Sequence, residues 1–201
     1  MEFRLTYAGS LKAHRDDKRL PERSLHVHEI RKEFHKQLKV LRQKHPALAL
    51  GLGGQVFVDD NYRPLPIDEI FKHDGFEWLP IVNMKNGLIC KLDILLLRSG
   101  APGDALSDID NRLKTVFDAL RKARGPSELG ASTSKGQQTP EDDENPFYVL
   151  LEDDRLITHV SVTTDLLLQP VPNSPPDEAV RLVIDVTIRP YHVHIENLAY
   201  A

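Results

Sequence analysis

The sequence predicts an α+β domain in which a mixed or antiparallel sheet is covered by two main helices. Two segments, 25–45 and 108–124, repeat apolar residues at the spacing of a helix. Shorter apolar or alternating segments surround them and are bounded by glycine and proline. With 201 residues, of which 40% are hydrophobic, the chain can bury the core of one domain. We therefore expect a single domain over 1–201.

The first half is expected to hold one long helix between strands. Residues 2–8 alternate as a strand does. Proline disfavours helical geometry in the residue before it, so His45-Pro46 should end the helix 25–45. Its inward stripe consists of five apolar residues: Val27, Ile30, Phe34, Leu38 and Leu41. Further strands are expected at Gln55–Val58, Leu79–Met84 and Leu88–Leu97, the last being the most apolar and therefore central.

The second half is expected to hold the second helix, a polar insertion and three strands. Gly125-Pro126 should stop the helix 108–124. Residues 125–146 contain a single large aliphatic side chain, Leu129, among small, polar and acidic residues, so we expect a flexible insertion. The remaining strands are expected at Phe147–Leu151, Leu156–Thr164 and Val180–Arg189.

Composition indicates a soluble protein of a reducing compartment. The lone cysteine, Cys90, excludes an internal disulfide. The N-terminus lacks the apolar run of a signal peptide, and no stretch approaches the roughly 18 apolar residues of a membrane span. We expect a cytoplasmic location and no membrane partner.

Charge is distributed unevenly along the chain. The formal net charge is −4, but residues 1–45 carry +6 and the remainder −10. The basic residues of 31–42 and of Lys12–Arg23 are candidate phosphate contacts, although an ordinary solvated helix face explains them equally well. Acidic residues of the insertion would oppose the binding of DNA phosphates nearby.

Carboxylates gather at the predicted start of the second helix. Asp108 and Asp110 stand one residue apart, Lys114 lies one turn after Asp110 on the same face, and Glu152-Asp153-Asp154 precedes a strand. Mg²⁺ prefers oxygen ligands and commonly binds carboxylates together with substrate phosphate. Aspartates at a helix start also cap free N–H groups, and an isolated Asp-x-Asp is more often structural than catalytic. The longer pattern favours a metal site.

That pattern resembles the RusA family of Holliday junction resolvases. The resemblance rests on the segment Asp-x-Asp-Asn-x-x-Lys-x-x-Phe-Asp-Ala-Leu over 108–120, followed by Asp153-Asp154 before a strand. It implies a RusA-like fold and a homodimeric, Mg²⁺-dependent endonuclease that cuts four-way DNA junctions in recombination and repair. The implied metal ligands are Asp108, Asp110 and Asp154, with Asp153 as the alternative third ligand.

The resemblance also assigns roles around that metal. Lys114 is implied as the catalytic lysine, and the three ligand aspartates share the catalytic work. Asn111 would orient ligands or substrate, while Asp118 would support the helix or Lys114. No organic cofactor is expected. Two other functions remain open: a relative that binds branched DNA without cutting it, and a Mg²⁺-dependent phosphohydrolase of small phosphate esters.

Overall fold

The computed structural model describes residues 1–12, 20–45, 48, 70–99 and 109–201. Seven strands lie in these ranges: β1 (Glu2–Ser10), β2 (Phe71–His73), β3 (Phe76–Val82), β4 (Leu88–Arg98), β5 (Phe147–Leu151), β6 (Ile157–Leu166) and β7 (Ala179–Pro190). Two α-helices accompany them: α1 (Leu20–Lys44) and α2 (Ile109–Leu120). Short 3-10 helices occupy Pro126–Leu129, Asp154–Leu156 and Ile195–Tyr200. The predicted α+β class with two main helices is confirmed. The predicted strand at Gln55–Val58 lies outside the described residues.

The strands form two mixed sheets. The larger sheet has the order β1-β7-β4-β6, in which β7 is antiparallel to both β1 and β4, whereas β6 is parallel to β4. The smaller sheet has the order β2-β3-β5, with β3 and β5 parallel. The central position of β4 agrees with its apolar sequence, since every second residue from Leu88 to Arg98 is buried.

The main core lies between the helices and the inner face of the larger sheet. The predicted inward stripe of α1 is confirmed: Val27, Ile30, Phe34 and Leu38 are at most 4% exposed, and Leu41 packs against the same core. A second, aromatic core joins Phe76, Trp78 and Phe147 of the smaller sheet to Leu129. Leu129 therefore belongs to the folded interior.

Several element boundaries differ from the sequence prediction, the two helix ends for identifiable reasons, and one hairpin was not predicted. Helix α1 begins at Leu20 instead of residue 25, because a proline at position 21 is compatible with a first helical turn. Helix α2 ends at Leu120 instead of 124, since the chain becomes extended there and the Lys122 N–H donates to the Leu151 carbonyl oxygen at 3.0 Å. The hairpin β2–β3 was not predicted, although its Asp74-Gly75 turn, with φ of 55° and 84°, is a recognisable signal.

The polar segment 125–146 runs along α1. Two of its side chains are buried: Leu129 is fully buried, and the Glu144 side chain is only 6% exposed. The Gln138 N–H donates to the Leu129 carbonyl oxygen at 2.8 Å, and the Glu141 N–H donates to the Glu144 carboxylate at 3.0 Å. The two hydrogen bonds are local, whereas the burial of Leu129 and Glu144 was not anticipated because it depends on contacts with the smaller sheet and with α1, which are distant in sequence. The predicted flexibility of the segment stays a prediction.

No helix in the described part of the chain is long and apolar enough to cross a membrane.

Candidate functional site

The first two turns of α2 present a small polar group to solvent. Asp110 and Lys114 lie one turn apart, with the Lys114 Nζ 3.5 Å from the Asp110 carboxylate and 3.3 Å from the Asn111 side-chain oxygen. The apolar side of α2, including Val116 and Leu120, faces the core. The predicted common face of Asp110 and Lys114 is therefore confirmed. Asp108 lies outside the described residues.

The contact between Lys114 and Asp110 is weak enough to exchange for another. The two side chains are 55% and 64% exposed. Exposed helical pairs at this spacing contribute only about 0.3–0.5 kcal/mol, because water and salt screen them. A phosphate oxygen could therefore replace Asp110 as the partner of Lys114 at little cost.

Asp118 attaches α2 to α1. Its carboxylate accepts hydrogen bonds from Arg23 at 2.7 Å and from Arg121 at 2.6 Å. Arg31, fully buried on α1, donates to the Asp118 carbonyl oxygen at 2.8 Å. Asp118 thus supports the helix, which is one of its two predicted roles, through Arg23 and Arg121.

The downstream acidic pair has two different environments. The Asp153 carboxylate accepts from the Arg155 backbone N–H at 3.0 Å and from the Arg155 Nε at 2.8 Å, so it caps the short helix Asp154–Leu156. The hydrogen bond from the Arg155 side chain holds the pKa of Asp153 well below its usual range. Asp154 is 37% exposed and lies 3.1 Å from the Arg124 Nη2. Of the two, Asp154 is the less committed to local structure.

The structure does not bring Asp154 to Asp110. Asp154 precedes β6, whose parallel register sets Ile157 beside Cys90 at the start of β4. Helix α2 begins at the other end of that strand, where Arg112 donates to the Asp177 carbonyl oxygen just before β7, and β7 there pairs Val180 with Arg98.

This topology sets a large distance between the two carboxylates. The eight residues from Cys90 to Arg98 extend about 26 Å at the rise of a β-strand. Two ligands of one Mg²⁺ each lie about 2.1 Å from the ion, so carboxylates at opposite ends of β4 cannot share it. Among the described residues, no group of three or more His, Cys, Asp or Glu side chains could hold a metal ion. Asp108 lies outside the described residues, so the predicted set Asp108, Asp110 and Asp154 stays a prediction.

Arg124 was missed by the sequence reasoning. It lies between Asp153 and Asp154, at 3.7 Å and 3.1 Å, and its guanidinium offsets part of the charge of the acidic pair. In the neighbouring sequence, the only indication of a role for Arg124 was its position as a cation directly before Gly125-Pro126. Its partner stands 30 residues later, so the pairing could not be derived from spacing.

The predicted basic surface of α1 is largely paired with acids from outside the helix. The Lys32 Nζ lies 2.7 Å from the Glu141 carboxylate and 3.2 Å from the Glu144 carboxylate. The Lys39 Nζ lies 3.5 Å from the Asp143 carboxylate and donates to the Asp143 carbonyl oxygen at 2.7 Å. Other basic residues of this helix are buried: Arg31, His35 and Arg42 are at most 2% exposed. Phosphate contacts and an ordinary solvated helix face both require exposed side chains, so both expectations were wrong for these three residues. Of the remaining basic residues, Lys32 and Lys39 are contacted by the acidic segment 125–146.

Comparison with models of known protein families, with curated proteins and with solved structures finds no match to this chain.

Proposed function

We propose that this protein is a Mg²⁺-dependent, structure-selective endonuclease of the RusA type that resolves four-way DNA junctions. The observation that supports it is the group formed by the exposed Asp110 and Lys114 and the half-buried Asn111 on one face of α2. In the sequence this group directly follows Asp108. It joins an acidic oxygen donor, an amide and a displaceable ammonium, the kinds of group that phosphodiester hydrolysis requires.

Lys114 has the clearest chemical role in this proposal. Its ammonium exchanges Asp110 for a non-bridging phosphate oxygen and stabilises the negative charge that develops as water attacks the phosphorus. Asn111 lies within hydrogen-bond distance of the same ammonium and orients it. Mg²⁺, when bound, would supply the further positive charge that polarises the phosphodiester and activates water.

The ligand set needs a direct test, because Asp154 lies at the far end of β4. In the proposed homodimer, a second copy could bring its own Asp154 towards Asp110. A dimer also fits the substrate, since a four-way junction has near two-fold symmetry and requires two matched cuts. The other proposed properties are a cytoplasmic location and no organic cofactor.

A cleavage assay tests the proposal. Wild type, Asp110→Asn, Lys114→Gln and Asp154→Asn are each incubated with Mg²⁺ and either a synthetic four-way junction or a linear duplex. Asp142→Asn is the matched control, because Asp142 is exposed and lies in the segment 125–146. We expect paired nicks in the junction alone, lost in Asp110→Asn and reduced about 10²–10³-fold in Lys114→Gln.

The Asp154→Asn variant decides the third ligand. A loss of cleavage equal to that of Asp110→Asn assigns Asp154 to the site. Recovery of cleavage when these two inactive variants are mixed would assign the carboxylates to different subunits. Cleavage at the wild-type rate in Asp110→Asn would refute the proposed function.

The second candidate is a protein that binds branched DNA without cutting it. The pairing of Asp154 with Arg124, away from α2, favours it. Tight binding of the junction, with no nicks in Mg²⁺ or Mn²⁺, would support this candidate over the nuclease.

A further inference from the structure

The residues 126–144, here called the acidic strap, cover the polar side of α1. The strap is held at both ends by buried groups: Leu129 is fully buried near its start, and the Glu144 side chain is 6% exposed at its end. Between strap and helix lies a cleft of about 290 Å³, which is lined by Lys32 and Lys36 and by carboxylates of both the strap and α1. The strap therefore lies over the cations without filling the space above them.

The ion pairs of the strap have a consistent geometry. Lys32 is only 14% exposed and Lys39 only 32%, whereas their partners Glu141 and Asp143 are 69% and 75% exposed. The cations thus lie beneath, the carboxylates of Glu141 and Asp143 form the outer rim, and Glu144 is a buried second partner of Lys32. The side-chain hydrogen bonds from Lys32 to Glu141 and Glu144 raise the pKa of Lys32 against the effect of burial, so this cation stays charged.

The pairs of Lys32 with Glu141 and of Lys39 with the Asp143 carboxylate are of the kind that a polyanion can displace. Pairs with largely exposed partners are weak and are screened by salt. Double-stranded DNA carries one charge per about 1.7 Å of its axis and binds lysines with release of counterions. Lys32, Lys36 and Lys39 recur at helical spacing along one side of α1 and would present a row of charges once uncovered.

We propose that the acidic strap is an autoinhibitory contact that competes with DNA phosphates for Lys32 and Lys39 of α1. DNA binding detaches the outer part of the strap, Glu141 to Asp143, while Leu129 and Glu144 remain anchored. This inference rests on the proposed function, because it takes DNA as the competing anion. It explains how a chain of net charge −4 can keep a basic DNA contact.

The test compares two neighbouring single substitutions that change the net charge equally. Glu141→Gln removes a partner of Lys32, whereas Asp142→Asn removes an exposed carboxylate with no ion-pair partner among the described residues. Affinity for a labelled four-way junction and a linear duplex is measured from 50 to 300 mM NaCl, without Mg²⁺ so that no cleavage occurs. Hydrogen exchange of the amides at 138–145 reports strap attachment in the same proteins.

We expect Glu141→Gln to bind DNA about five- to tenfold more tightly near 0.1 M salt. Its plot of log affinity against log salt should steepen by about 0.9, the value of one added phosphate contact. Asp142→Asn should change affinity less than twofold and leave the slope unaltered. Exchange at 138–145 should accelerate in Glu141→Gln and, for wild type, on addition of DNA.

Three results would overturn the inference. Equal gains in Glu141→Gln and Asp142→Asn would mean that only overall charge matters. DNA binding with no gain in Glu141→Gln would remove the strap as a competitor and leave the proposed function standing. No binding of either DNA by any of the proteins at 50 mM salt would refute both the inference about the strap and the proposed function, whatever the exchange data show.

Discussion

The stability of this protein should depend on His28 between pH 7 and pH 5. His28 on α1 is fully buried, with its ring 5.7 Å from that of Phe147 and 5.6 Å from that of Phe76. Its Nδ1 lies 3.3 Å from the Arg31 guanidinium, and its Nε2 has no hydrogen-bond partner among the described residues. Burial, and then the charges of Arg31 and Lys32, lower the pKa of His28 to about 3.

The sign and size of the effect follow from this pKa. In the unfolded chain a histidine takes up a proton near pH 6.5, whereas folded His28 stays neutral until about pH 3. The unfolded state therefore binds more protons, and stability falls as the pH falls below 6.5. From pH 7 to pH 5 His28 alone contributes a loss of about 2 kcal/mol, since each unit of pKa difference corresponds to about 1.4 kcal/mol. His26 and His35, whose pKa values are also lowered by burial, add to the total loss of the wild type.

Urea unfolding at pH 7 and pH 5 measures this loss in wild type, in His28→Leu and in His192→Leu. Leucine keeps an apolar side chain in the core but cannot titrate, so His28→Leu should lose about 2 kcal/mol less than wild type between the two pH values. His192 is exposed, and its replacement should leave the wild-type loss unchanged. The same loss in wild type and His28→Leu, with equal m-values, would refute the reasoning.

Three further predictions concern buried polar groups. Glu128→Gln should lower the free energy of unfolding by about 2 kcal/mol in urea titrations, because the buried Arg31 and Arg121 lose a charged partner; an unchanged midpoint would contradict this. Cys90 is buried with its pKa raised to about 12, so a thiol reagent at pH 8 should modify it only as fast as the protein opens; rapid modification of the native protein would contradict its burial. Asn197→Ala should cost about 1–3 kcal/mol, since Asn197 donates to the carbonyl oxygens of Asn86 and His192, and equal stability by thermal unfolding would count against it.

Local periodicity predicted the elements well. The apolar stripe of α1 and the alternation of β7 arise within one element, so they can be read directly from the sequence. The strand Phe147–Leu151 has the predicted bounds. Errors occurred where an element end depends on a distant partner, as at Leu120, after which the chain pairs with Leu151.

The basic surface of α1 shows why charge patterns are harder to interpret. Arg31, His35 and Arg42 alternate with Lys32 and Lys39 at spacings that suggest a solvated face. In the structure, Arg31 is covered by Asp118, Arg121 and Glu128, all of which come almost 90 residues later or more. A long cationic side chain can be buried when distant carbonyls and carboxylates satisfy it, and helical spacing carries no information about such partners.

In the candidate site, too, some features follow from local spacing and others only from long-range contacts. The sequence by itself determined that Asp110, Asn111 and Lys114 share one face of α2, because four residues make about one helical turn. Only the tertiary structure decided where Asp154 lies, because that depends on the direction of β6. An antiparallel β6 would start at the end of β4 where α2 begins; the parallel pairing sets Asp154 at the opposite end, beside Arg124. Likewise the acidic residues of 126–144 were visible from the start, but their position over Lys32 and Lys39 is a long-range contact that only folding creates.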